Sequence, residues 1–308
     1  MSTDTDDVPF IDGGTGRIYR VVRDRAFESG LLIAALSGLA MLFVLLAYVA
    51  IDAFSIFDPS YGSWVDWQFL TSLPSRLPEE AGFAAPIAGS ILILLVMIIG
   101  VFPIGIGAAI YLEEYAADTR ITQLIQINIA NLAGVPSVVY GLLGLAVFVR
   151  GAGLASGIVL VGGLTVGLLV LPIVTVASQE ALRAVPESDR RASYGMGASR
   201  WQTLRRVVLP QALPGILTGS ILALARAIGE TAPLIMIGAA TSVFTVPTGL
   251  FDSVTAMPLQ IFNWHSRPQP AFRHGVVAAG VVVLLTVMLV MNATAVLLRN
   301  NYQRRDNQ

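Results

Sequence analysis

Six stretches of this chain carry no charged residue: 29–51, 81–112, 121–149, 151–179, 207–225 and 275–298. A helix crossing bilayer hydrocarbon needs about 20 consecutive apolar residues. All but the 207–225 stretch exceed that length. That one is interrupted only by Arg226 and Glu230, and the apolar pattern resumes from Leu234 to Ile237. Backbone groups in lipid must be paired internally, which leaves the helix as the solution for segments this long. The expectation is an all-α membrane protein with six transmembrane helices, near 31–51, 84–108, 127–149, 157–178, 213–238 and 276–298. The first is too long and lies too far in for a secretory signal peptide.

Composition closes off other classes. Of 308 residues, 55% are hydrophobic and 13% charged, where soluble domains carry roughly 25% charged residues. Mean hydropathy is +0.73. A net charge of −1 gives no basic field for nucleic acid. With no cysteine, thiolate metal sites and thiol nucleophiles cannot exist. All 19 basic residues are arginine. A phosphate-binding G-x-x-x-x-G-K-[ST] loop needs lysine. No ATP or Mg site is expected in this chain, so nucleotide energy must come from a partner.

Arginine placement orients the spans, because short cytoplasmic segments are enriched in basic residues. With the N-terminus inside, the inner segments hold Arg17, Arg20, Arg23, Arg25, Arg120, Arg183, Arg190, Arg191, Arg200, Arg205, Arg206, Arg299, Arg304 and Arg305. The outer ones hold only Arg76, Arg150, Arg267 and Arg273. Both termini are expected in the cytoplasm of a multi-pass cell-membrane protein. Residues 1–30 then form a partly disordered tail, 31–298 the membrane domain and 299–308 a short C-terminal tail. Small-residue spacings at Gly153/Gly157, Gly163/Gly167 and Gly215/Gly219 offer close helix approaches. Pro103, Pro136 and Pro172 offer kinks.

The loop 180–212 is the most informative polar stretch. Pro186 suits a first helical position, and a short helix follows from Glu187 to Tyr194. Gly195 and Gly197 break it. Ser199 precedes Gln202 by three, the spacing of a capping box. Trp201, Leu204 and Val208 form one apolar stripe. Pro210 ends that helix and Pro214 opens the next span. Glu113 and Glu114 end the second span; paired carboxylates are one reading, and a solvated helix end is the expected one. Two short helices with an aromatic stripe fit either a protein contact or a segment lying on the lipid surface.

Ala192-Ser193-x-x-x-Gly197, nine residues, then Val207-x-Leu209-Pro210 resembles the EAA loop of ABC-importer permeases, E-A-A-x3-G-x9-I-x-L-P. Glu180-Ala-Leu-Arg-Ala-Val-Pro186 and Ala225-Arg-Ala-Ile-Gly-Glu-Thr-Ala-Pro233 are similar to the PstA-type permease family of phosphate importers. So are Asn131-Leu-Ala-Gly-Val-Pro-Ser-Val-Val-Tyr-Gly141 and Met257-Pro-Leu-Gln-Ile-Phe-Asn-Trp264. The resemblance covers roughly 84–302. It implies a type I, MetI-like importer permease fold. It also implies a second, PstC-like permease, two PstB-like ATPase subunits that bind ATP and Mg, and a PstS-like phosphate-binding protein. The loop would dock on the ATPase through Glu187, Arg191, Ala192, Ser193, Gly197, Trp201, Leu209 and Pro210. Arg191 stands where the family carries Glu, and Glu187 and Asp189 lie within one turn of it.

Arg226 and Glu230 are four apart, on an expected shared helix face with Gly215, Gly219, Ala223 and Ala227. Charges within the membrane are costly and functional by default. A guanidinium grips phosphate oxygens in a two-pronged fork. Arg226, Glu230 and Thr231 are therefore candidates for a phosphate path, and a structural ion pair between helices is the competing role. His265 and His274 lack a carboxylate cluster and are expected at the surface. Other functions compete with this one. A PstC-like paralogue, or a permease for molybdate or sulfate, shares the fold. An intramembrane hydrolase would need a nucleophile and its base in the bilayer, and no His or Lys lies in an expected span.

Overall fold

The computed structural model describes residues 14–55, 64–239 and 243–306. Residues 1–13 of the tail expected at 1–30 lie outside them. Helix α1, Gly14–Ala53, covers the rest of that tail, from residue 14 to residue 30. Its Arg23–Ala53 portion is long and apolar enough to cross a bilayer. The chain to Ile51 forms one compact unit and Asp52–Gln308 another. Every helix after α1 belongs to the second unit.

After the short α2 (Trp67–Thr71), α3 runs from Ala84 to Tyr115. Helices α4 (Arg120–Leu132) and α5 (Ser137–Gly151) come next, then α6 (Val159–Arg183), α7 (Glu187–Gly195) and α8 (Arg200–Ile228). Short α9 (Ala232–Met236) and α10 (Met257–His265) precede α11, which begins as Phe272–Val276 and continues as Val277–Asp306. Among the described residues five helices are long and apolar enough to span, or six if α4 and α5 make one bent span.

Three expected spans are corrected. The third is not one helix: α4 and α5 meet at 107° across Ala133–Pro136. Pro136 has no N–H for a helical bond and pushes Val135 out of the helical region, so the ladder stops there. The second reaches Tyr115 rather than 108. The fifth ends at Ile228, where the expectation ran to 238. It also begins far earlier, at Arg200, because Pro210 and Pro214 lie inside α8 instead of bounding it. A π-turn over Leu204–Val208, closed by Leu209 N–H on the Leu204 carbonyl, precedes Pro210. The wider turn makes room for the ring and omits a bond that proline cannot make. Pro103 follows the π-turn Met97–Val101 of α3 in the same way.

Helix α6 is the centre of this unit; its hydrophobic residues are buried on several sides, among them Val159, Val166, Leu169, Val170, Val174 and Leu182. Its Gly163 and Gly167 meet Val96 and Val101 of α3. Gly215 and Gly219 of α8 meet Ala181 and Ala177 of α6. Without a Cβ the backbones approach, which replaces the hydrophobic drive missing in lipid. Gly153 and Gly157, the third spacing, form no helix seam. They lie in the α5–α6 loop with φ of +70° and +71°. The end of α8 remote from α7 packs on an aromatic cluster of Phe69, Phe83, Trp264 and Phe272, with ring centroids 5.4–6.3 Å apart.

Candidate functional site

The polar segment folds as α7, a glycine turn and the start of α8. Pro186 has an extended ψ of 137° and caps α7 from outside, where the sequence placed it as the first helical residue. Glu187 and Asp189 occupy the first turn and suit the positive helix end. Gly195 stays in the last turn; Gly197 alone makes the break, with φ of +83°. The capping box is formed: Gln202 N–H donates to Ser199 Oγ at 3.3 Å, and Ser199 N–H to Gln202 Oε1 at 2.8 Å. Ser193 and Thr203 hydroxyls lie 2.9 Å apart and buried, pinning α7 to α8. Asp189 accepts from Gln211 Nε2 at 3.1 Å.

The expected stripe divides. Leu204 and Val208 are buried with Ala109, Leu182, Val185, Ala212 and Ile216, and Leu209 packs against them. Trp201 sits one turn earlier and is 60% exposed. Tyr194 and Met196 are exposed beside it. An open concavity of about 460 Å³ lies here, lined by Ser193, Met196, Gly197, Gln202 and Arg206 among others. Ala192 and Arg191 are exposed, and Pro210 is half-buried. Arg191 Nε lies 3.5 Å from Glu187 Oε1 at the surface, a pair of small energetic weight.

Glu113 and Glu114 overturn the solvated-end expectation. The Glu113 carboxylate takes both prongs of Arg183, at 2.7 and 2.9 Å, and accepts from Gln179 Nε2 at 3.1 Å. Glu114 pairs with Arg190, which also donates to the Leu182 carbonyl at 2.8 Å. The Arg190 and Glu114 side chains are only 14% and 9% exposed. Sequence reading missed them because the partners are 70 and 76 residues away. A pair of acids ending an apolar helix, opposite an arginine-rich loop, was the available signal.

The second region is the break after α8. Arg226 lies in the last turn, and Glu230 lies beyond it, so the two share no helix face as expected. They still approach, with Arg226 Nε 3.7 Å from Glu230 Oε1. Ala223 and Ala227 are buried, yet the Arg226 side chain is half exposed while Glu230 is largely covered. Glu230 borders a small cavity with Ser90, Ile93 and Leu94 of α3. Thr231 precedes α9 as its N-cap without a side-chain cap bond. Pro233, near the α9 start, packs on Gly141 of α5. Beyond α9, Ser156 Oγ donates to the Ile237 carbonyl at 2.6 Å, and Val159 N–H donates to the Asp252 carbonyl at 3.0 Å. N–H groups of Thr248 and Gly249 hold the Asp252 carboxyl below its ordinary pKa. His265 ends α10; His274 lies 3.6 Å from the Asp52 carboxylate. Burial, then the like charge of Arg76, lower the pKa of Arg267, which lies over the Phe272 ring at 4.5 Å.

Residues 101–304, which hold both regions, match the family described as binding-protein-dependent transport system inner membrane component. The chain belongs to that family. This permease is 29% identical over 263 residues to the probable ABC transporter permease protein YqgI of Bacillus subtilis, covering 82% of this chain and 89% of the relative. It is 33% identical over 238 residues to the phosphate transport system permease protein PstA 1 of Mycobacterium tuberculosis, covering 76% of each. The fold resembles a crystal structure of a bacterial ABC transporter involved in alginate import, at 14% identity. That likeness has a TM-score of 0.61 over 92% of this chain and 99% of the other. The all-α, MetI-type importer fold and the multi-pass membrane character are therefore established.

Proposed function

We propose that this permease is the PstA-like membrane subunit of an ATP-driven importer of inorganic phosphate. The observation that carries it is the likeness, over three quarters of both chains, to the Mycobacterium tuberculosis phosphate permease. A PstC-like permease would complete the membrane path. Two PstB-like ATPases would bind ATP and Mg, and a PstS-like protein would deliver phosphate from outside the cytoplasmic membrane. Exposed Tyr194, Met196 and Trp201, with Met196 lining an open concavity, support an ATPase contact, since exposed apolar side chains on an arginine-rich segment mark a protein-binding surface. Glu187, Arg191, Ala192 and Gly197 would lie within it. Ser193, Leu209 and Pro210 hold its shape. Arg226, beside Glu230 and Thr231 at the α8 break, would meet phosphate in passing. Its half-exposed guanidinium can bind and release, as transport requires. ATP at the partner would drive alternating access through the α7–α8 segment. Phosphate uptake in cells lacking their own subunit, with molybdate and sulfate as competitors, tests this. Uptake restored and blocked by neither competitor is the expected result. Preference for another oxyanion would reassign the substrate.

A further inference from the structure

Acidic residues at the end of α3 contact both α6 and α7. Helix α7 is joined by chain to α6 and α8, but to α3 only through side chains. Arg190 makes that connection: one prong holds Glu114 of α3 and another the Leu182 carbonyl of α6. Both side chains are largely covered, at 14% and 9% exposure. Separating such a pair leaves poorly solvated charge, which costs more than breaking an exposed pair. The Arg191–Glu187 pair within α7 is exposed and yields readily. Glu113 meanwhile holds α3 to α6 through Arg183 and Gln179. From Glu114, α3 runs back about 30 Å to Ile93, at 1.5 Å per residue, and there borders the cavity beside Glu230.

We infer that Glu114 and Arg190 strap α7 to α3, so that a displacement of the ATPase-facing segment moves the helix bordering the candidate phosphate path. Both are positioning residues. The inference rests on the function proposed above for α7–α8. Without the strap, α7 can shift while α3 stays, and ATP is hydrolysed without transport. A purely architectural pair would instead lower hydrolysis and uptake together, in proportion to assembled complex.

The test uses the complete importer in proteoliposomes, reading phosphate accumulated per ATP hydrolysed. In Glu114→Gln/Arg190→Gln, which leaves no lone charge, that ratio is expected to fall about fivefold or more, the scale of a typical coupling between sites. A second variant, Glu114→Cys/Arg190→Cys, is read before and after bridging with a bifunctional thiol reagent; the chain has no other cysteine. The ratio is expected to be low before bridging and to rise after it. A wild-type ratio in the neutral variant overturns the strap, as does a ratio that bridging leaves unchanged. A wild-type complex that imports no phosphate overturns the underlying function as well, which separates the two failures.

Discussion

Gly197 has a positive φ of +83°, and among the described residues, its chain neighbours aside, nothing lies within 4 Å of where its Cβ would be. A side chain there strains the backbone by about 1–2 kcal/mol, less for Asn, which visits this region, and meets only a partner. Gly197→Asn is therefore expected to keep more ATPase co-purification and uptake than Gly197→Val, with Gly197→Asp impaired in both. Equal wild-type behaviour of all three would mean that the turn does not dock. Arg226 poses a sharper choice. Arg226→Gln removes the charge and the five-donor fork, and uptake should drop at least tenfold, a loss of about 1.4 kcal/mol, in assembled complex. Because Glu230 lies past the helix end and largely covered, exchanging the two charges moves the cation off its half-exposed position. The exchange should leave uptake low. Full recovery would make the pair a structural lock.

At the scale of elements, the contacts of α6 depend on missing side chains. Gly219 faces Ala177 too closely for a Cβ. Gly219→Leu should separate α8 from α6, at about 1–3 kcal/mol or more for overpacking, and lower thermal stability in detergent. Among the described residues nothing outside its own helical turn lies within 4 Å of a Cβ at Gly107 of α3, and Gly107→Ala should not lower stability. Equal melting shifts in the two variants would refute the close approach. The same spacing has a different meaning at Gly153/Gly157, where both residues serve a loop. Small residues four apart thus permit a seam, and the neighbouring helix decides whether one forms.

For the whole molecule, the absence of lysine and of a phosphate-binding loop predicts that the purified subunit neither binds nor hydrolyses ATP. Calorimetry with ATP and Mg, then an ATPase assay free of partner, checks this; turnover would overturn it. The arginine distribution predicts a cytoplasmic C-terminus. A reporter fused after Gln308 that is active only outside the cytoplasm would reverse the orientation.

Fold class, approximate spans and the α7–turn–α8 segment were legible in the chain because they rest on local facts. Apolar run length, the Ser199 and Gln202 spacing and the need for a flexible turn residue each act within a few residues. The sites were legible as residue types, not as geometry. Two departures show why. Pro210 and Pro214 read as boundaries, yet a π-turn upstream lets α8 run on, and the packing of Leu204 and Val208 into the core holds that turn. Glu113 and Glu114 read as a solvated end, yet arginines 70 and 76 residues later pair with them and they are largely covered. Whether a charge is exposed or paired depends on which helices lie beside it. That is set by backbone approach across the bundle, a long-range quantity that local pattern does not encode.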